Sequence, residues 1–199
     1  MSGPLFYISL GIGLALAAGL RPFLPALLAG GLASGGDLGV SFSGHYDFLQ
    51  SSWWLILLTA ALVGSYLLQL RLGSERFSQG PFAAALAGIE IGVAALLFGG
   101  TLAAHGDPAW PGWIAGGLLG AVANAAVGPV ITRARDRLPD RAAREALTVY
   151  LDGVALTLAA LTAVLHPVGY LALALLLWLL GASRRRAGEK YAGLRILRR

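Results

Sequence analysis

The chain has 199 residues, of which 57% are hydrophobic and only 13% charged, and its mean hydropathy is +0.71. Soluble domains carry about 45–50% apolar and about 25% charged residues, so this composition excludes soluble enzymes, disordered proteins and coiled coils, and it points to a lipid bilayer as the solvent. The net charge of +5 reports orientation and contact with anionic lipid in such a protein rather than nucleic acid, and the absence of cysteine excludes disulfides, thiolate metal sites and Cys nucleophiles.

A membrane-crossing helix needs roughly 20 mostly apolar residues. Residues 5–33 form the first such stretch, interrupted by Arg21-Pro22. No basic residue precedes it and it outruns a secretory leader, so a span is expected there rather than a cleaved signal. The stretches 53–70, 81–104, 112–132, 146–166 and 168–182 come next, the last two separated only by His166-Pro167, which reads as the tip of a helical hairpin. Six spans place all but one of the 15 basic residues on one side, and cytoplasmic loops retain Lys and Arg. Both termini are therefore expected in the cytoplasm of a bacterial inner-membrane protein. The opposite loops carry Asp37, His45, Asp47, His105 and Asp107, with Trp53, Trp54, Trp110 and Trp113 at the level of an outer aromatic belt.

Sliding the first stretch onto the fourth superposes Gly13 on Gly120, Ala18 on Ala125 and Pro22 on Pro129. In a six-span chain these two stretches begin on opposite sides, which predicts an inverted repeat of two three-helix halves. The halves are 1–104 and 105–182, with 183–199 as a basic cytoplasmic tail that suits anionic lipid. Gly116, Gly120, Asn124 and Gly128 form a small-residue stripe that allows another backbone to approach closely, within the chain or from a second copy. Ser9, Gly13, Ala17 and Arg21 are its counterpart. Pro22 and Pro129 end the two stripes, and a proline removes a backbone donor, so helix breaks are expected at both.

Ionisable groups inside spans cost at least about 2.5–3.5 kcal/mol at mid-membrane and ask for a reason. Arg21, Glu90 and Asp152 are the three, and Asp152 lies on a small polar stripe with Thr148, Ala155, Ala159 and Thr162. At about 1.5 Å per residue, Glu90, Asp152, Tyr66, Gln69 and Asn124 share the inner half of the membrane. Arg21, counted from a cytoplasmic N-terminus, stands higher, free to snorkel or to pair with Asp37 or Asp47. Asp152 has the alternative of pairing with Arg144. No metal-ligand spacing, phosphate-binding loop or nucleophile elbow appears, so neither a metal, a cofactor nor an enzymatic activity is expected. A set of His45, Asp47, His105 and Asp107 is the one weak candidate for an outer metal site.

The run Ala17-Ala18-Gly19-Leu20-Arg21-Pro22, the segment Gly117-Leu118-Leu119-Gly120-Ala121 and Leu151-Asp152-Gly153-Val154-Ala155-Leu156 leading to His166-Pro167 resemble a family of small bacterial membrane proteins, the domain of unknown function numbered 4126. The resemblance covers most of the chain and implies six helices, an inner-membrane location and an acidic residue opening the fifth span, where Asp152 stands. Gln69-Leu70-Arg71 departs from the acidic-basic-proline ending of the second span that the family implies. The expected protein is all-α and polytopic. It carries an unknown small solute or ion past a site of Glu90, Asp152, Asn124, Arg21, Tyr66 and Gln69, with protons as the coupling ion. The rival is a lipid-handling or assembly protein whose stripes pair two copies and whose tail grips anionic headgroups.

Overall fold

The structure, a computed structural model, describes residues 3–36, 38–72, 80–138, 140–165 and 167–192, and of residues 72, 136, 141 and 183–192 only the backbone. Asp37, Arg76, His166 and the end of the basic tail lie outside the described residues. The helices are α1 (Pro4–Leu20), α2 (Phe23–Gly35), a 3-10 helix (Gly44–Gln50), α3 (Ser52–Leu72), α4 (Gly80–Ala104), α5 (Trp110–Asp136), α6 (Arg141–Val164) and α7 (Val168–Ala192). No strand occurs among the described residues. Four helices, α3 to α6, are long and apolar enough to cross a membrane; α1, α2 and the apolar part of α7 are shorter.

Side-chain size is distributed as a bilayer requires. Ala15, Ala17, Ala18, Ala29, Ala94, Ala155 and Ala159 are fully buried, whereas Trp53, Ile56, Leu118, Leu171 and Trp178 project from the surface. Lipid tails solvate large apolar groups as well as a protein core does, so the helices gain by placing small residues where they touch one another. The central helix is α1, which packs against α4, α5, α6 and α7.

Local chemistry sets the ends of α1. Pro4 opens it at a position where no backbone donor is needed. Pro22 closes it, because a residue before proline is driven from the helical region, and Arg21 is extended (φ −156°, ψ 120°). Beyond Pro22 the chain departs from the single interrupted span expected over 5–33. The start of α1 stands beside the turn after α4, with Tyr7 donating to the Asp107 carboxylate and its ring stacked on His105 at 4.2 Å. At its other end Arg21 meets Asp152 of α6. From there α2 turns back along α3, with Phe23 and Leu24 near Leu62 and Tyr66, and Gly30 against Leu49 and Leu55. The two helices thus form a V with its vertex at Arg21-Pro22 and both arms open to one end of the bundle. We call that the Tyr7 end, and the other, where Arg133, Arg135, Arg137 and Arg144 gather, the basic end.

Two expectations are corrected by this path. Both α1 and α5 run from the Tyr7 end, and Gly19 lies against Gly120 so closely that any side chain at Gly19 would strike backbone. The first and fourth stretches are therefore parallel neighbours rather than inverted counterparts. For the same reason the start of α1 and the end of α7 lie at opposite ends of the bundle: Tyr170 at the start of α7 donates to Leu5 O at 2.8 Å, and α7 runs away from there. The prolines also part company. Pro22 breaks the chain, but α5 continues unbroken through Pro129. In the turn that follows the proline, Thr132 Oγ1 donates to Gly128 O at 3.0 Å and Arg133 Nε to Pro129 O at 2.9 Å.

Candidate functional site

The break in α1–α2 projects Arg21 into the bundle, where its Nε lies 3.1 Å from Asp152 Oδ1. Asp152 is held there by the α6 stripe foreseen from its spacing, since Thr148, Asp152, Ala155, Ala159 and Thr162 are all buried. The second carboxylate oxygen, Oδ2, accepts from the Tyr66 hydroxyl of α3. One turn along each helix, Gln69 Nε2 donates to Thr148 Oγ1 at 3.1 Å, and Arg135 Nη2 of α5 approaches the same hydroxyl at 3.4 Å. Across α1, Asn124 of α5 donates its amide to Glu90 Oε2 of α4.

A cavity of about 200 Å³ joins the two groups, lined by Arg21, Gln69, Glu90, Asn124, Thr132 and Arg135 among others. It extends along α5 from Asn124 toward the basic end. All six side chains singled out from the sequence are therefore assembled around the helix break. Arg21, Asp152 and Tyr66 form one set, Glu90 and Asn124 a second, and Gln69 lines the cavity between them. Arg21 departs from its expected depth, because α1 enters from the Tyr7 end and its depth must be counted from there. It pairs with Asp152 and not with Asp47, which accepts from Gln50 Nε2 at 3.3 Å. Asp152 likewise does not depend on Arg144, whose Nε is bound to Leu138 O at 2.9 Å.

Two lining residues escaped the sequence reading, Thr132 and Arg135. Arg135 reads as a loop arginine that marks the cytoplasm. The helical continuation of the stripe Asn124, Gly128, Ile131, Arg135 is the signal that places it on the cavity side of α5.

The Tyr7 end is built differently. Trp113 Nε1 donates to the Tyr46 hydroxyl at 2.5 Å, Phe98 covers Gly11, and Gly112 of α5 meets the backbone of Gly99 on α4. Phe42 and Leu49 close over Gly100. His105 Nδ1 faces Thr101 O at 2.9 Å and Asp107 takes the Tyr7 hydroxyl, so the weak outer metal set is not assembled. No group of three metal-binding side chains comes together among the described residues.

Apolar helices long enough to cross a bilayer, packed through small residues around a buried arginine–carboxylate cluster, define an all-helical protein of the membrane class. Residues 8–186 match the family described as Domain of unknown function (DUF4126), and the chain belongs to that family. No curated protein and no solved structure matches it.

Proposed function

We propose that this protein moves a small solute or ion across a bacterial inner membrane by alternating access, through the cavity at the α1–α2 break. The observation that carries the reading is the cavity itself: Arg21 and Glu90 line a space of about 200 Å³ reaching toward the basic end, while the Tyr7 end is packed shut. Charged groups are costly in a bilayer unless they face a watery path or one another. A broken helix is tolerated at membrane depth where it borders such a cavity. In this reading the basic end is cytoplasmic by the distribution of Lys and Arg. The helices α3 to α7 cross, and α1–α2 is a re-entrant pair whose arms return to the outer face. Glu90 exchanges a proton as the cavity fills and empties.

The assembly rival is weakened by one contact. Gly116 and Gly120, the close-approach face that would pair two copies, already lie against Ala94, Ala95 and Ile91 of α4 within the chain. Purified protein in liposomes tests the transport reading. Glu90→Gln is expected to abolish substrate-dependent proton flux while leaving expression and thermal stability near wild type. Unchanged flux removes Glu90 from the mechanism. The topology has its own test, since the chain has no cysteine. Cysteines replacing Gly3 and Ser41 label from the outside of intact cells, and one replacing Arg137 labels only after permeabilisation. Labelling of Gly3→Cys from the cytoplasm instead restores a crossing first helix.

A further inference from the structure

The kind of solute can be argued from what each charged group in the cavity already binds. Asp152 is engaged at both oxygens, Oδ1 by Arg21 Nε and Oδ2 by the Tyr66 hydroxyl. Glu90 is only 5% exposed and accepts the Asn124 amide. Arg21 is different. It meets Asp152 through Nε at 3.1 Å, and its side chain is 17% exposed against 8% for Asp152.

A guanidinium anchored through Nε still offers four N–H groups in one plane, a fork whose spacing matches the two oxygens of a carboxylate or another planar oxyanion. Arg135 lines the same cavity nearer the basic end and adds a second positive charge along the approach. The cavity thus shows an entering solute the N–H groups and positive charge of Arg21 and Arg135, while both Asp152 oxygens and Glu90 Oε2 face protein donors. Its volume is about 200 Å³. At about 30 Å³ for a water in the liquid, there is room for several waters or for a molecule of a few non-hydrogen atoms.

We propose that the cavity binds a small soluble monoanion, a short carboxylate or an inorganic oxyanion of similar size, on the terminal N–H groups of Arg21. The inference rests on the transport reading for the fate of the ion, but binding can be measured apart from flux. The anion replaces cavity water around Arg21 and leaves the Asp152 pair in place, so the anchor that orients the guanidinium persists through a cycle.

Full-length protein in neutral phosphatidylcholine nanodiscs is titrated calorimetrically with acetate and with nitrate, and in parallel with tetramethylammonium. Saturable binding of at least one anion and none of the cation is expected. Removing Arg21 alone strands a buried carboxylate and threatens folding, so the deciding variant is Arg21→Gln combined with Asp152→Asn, which removes both charges together. That double variant should melt as a folded protein and bind the anion more weakly by about tenfold or more, the range of a lost hydrogen bond to a charged group. Arg21→Lys, which keeps the charge without the fork, should fall between it and wild type.

Binding of neither anion, binding of the cation alone, or anion binding unchanged in the double variant overturns the inference. So does loss of acetate and nitrate binding when phosphatidylglycerol replaces phosphatidylcholine, which makes a lipid headgroup the occupant. Anion binding without flux in liposomes upholds the inference and sinks the transport reading. Cation flux without anion binding does the reverse.

Discussion

The same three helices, α1, α4 and α5, behave in opposite ways at their two ends. At the Tyr7 end they close on one another until α4 and α5 touch backbone to backbone at Gly99 and Gly112. At the basic end they part around a cavity edged by Leu86, Val127, Ile131 and the polar cluster. The difference is one of side-chain volume and charge along otherwise similar apolar helices. Glycine and alanine let the first end shut, and rings and hydroxyls such as Tyr46 with Trp113 fasten it. Arginine and carboxylates hold the second end apart, because they need either a counter-charge or water. The structure therefore has one closed and one accessible end, and the proposed transport cycle would exchange the two.

The largest way to break this contrast is to leave the accessible end with an uncompensated charge. Arg21→Gln alone should destabilise the protein by about 3–5 kcal/mol, the usual cost of stranding one partner of a buried ion pair, seen as a lower unfolding temperature in detergent. Adding Asp152→Asn should recover most of that loss. Equal stability of the single and double variants means that the pair does not hold the vertex.

A smaller effect sharpens the comparison by adding the same methyl group at each end. Gly112→Ala places a Cβ 2.7 Å from the Gly99 Cα and 2.8 Å from its nitrogen, so the helices must separate, at a cost of about 1–3 kcal/mol for overpacking. Gly128→Ala meets only the Asn124 Oδ1 at 3.9 Å and should stay within about 0.5 kcal/mol of wild type. Similar melting shifts for the two would show that the ends are equally packed. The smallest effect is expected from Tyr7→Phe, which keeps the stack on His105 and removes only the hydrogen bond to Asp107. A small loss of stability should appear as faster hydrogen exchange at residues 105–109, with the Arg21 region unchanged. Exchange that rises equally at both ends would mean that they are coupled at rest.

Much of the molecule could be read from composition and spacing, because those readings depend on solvent and local backbone chemistry alone. An apolar chain with few charges must form helices that satisfy their own backbone in lipid. A residue before proline leaves the helical region wherever it stands, so the stop at Arg21 was legible. A carboxylate on a stripe of alanine and threonine must face inward, so Asp152 and its neighbours were legible too. The direction a chain takes after a helix stop is not local. The return of α2 toward the Tyr7 end depends on its packing against α3 and the 3-10 helix, where Gly30 meets Leu49 and Leu55. That turn decided the depth and partner of Arg21, made α1 and α5 parallel, and separated the fates of Pro22 and Pro129. Proline removes one backbone donor at both sites; whether the helix breaks depends on the neighbours packed around it and on whether packing rewards a change of direction. Those are properties of the assembled bundle, and only the tertiary structure could supply them.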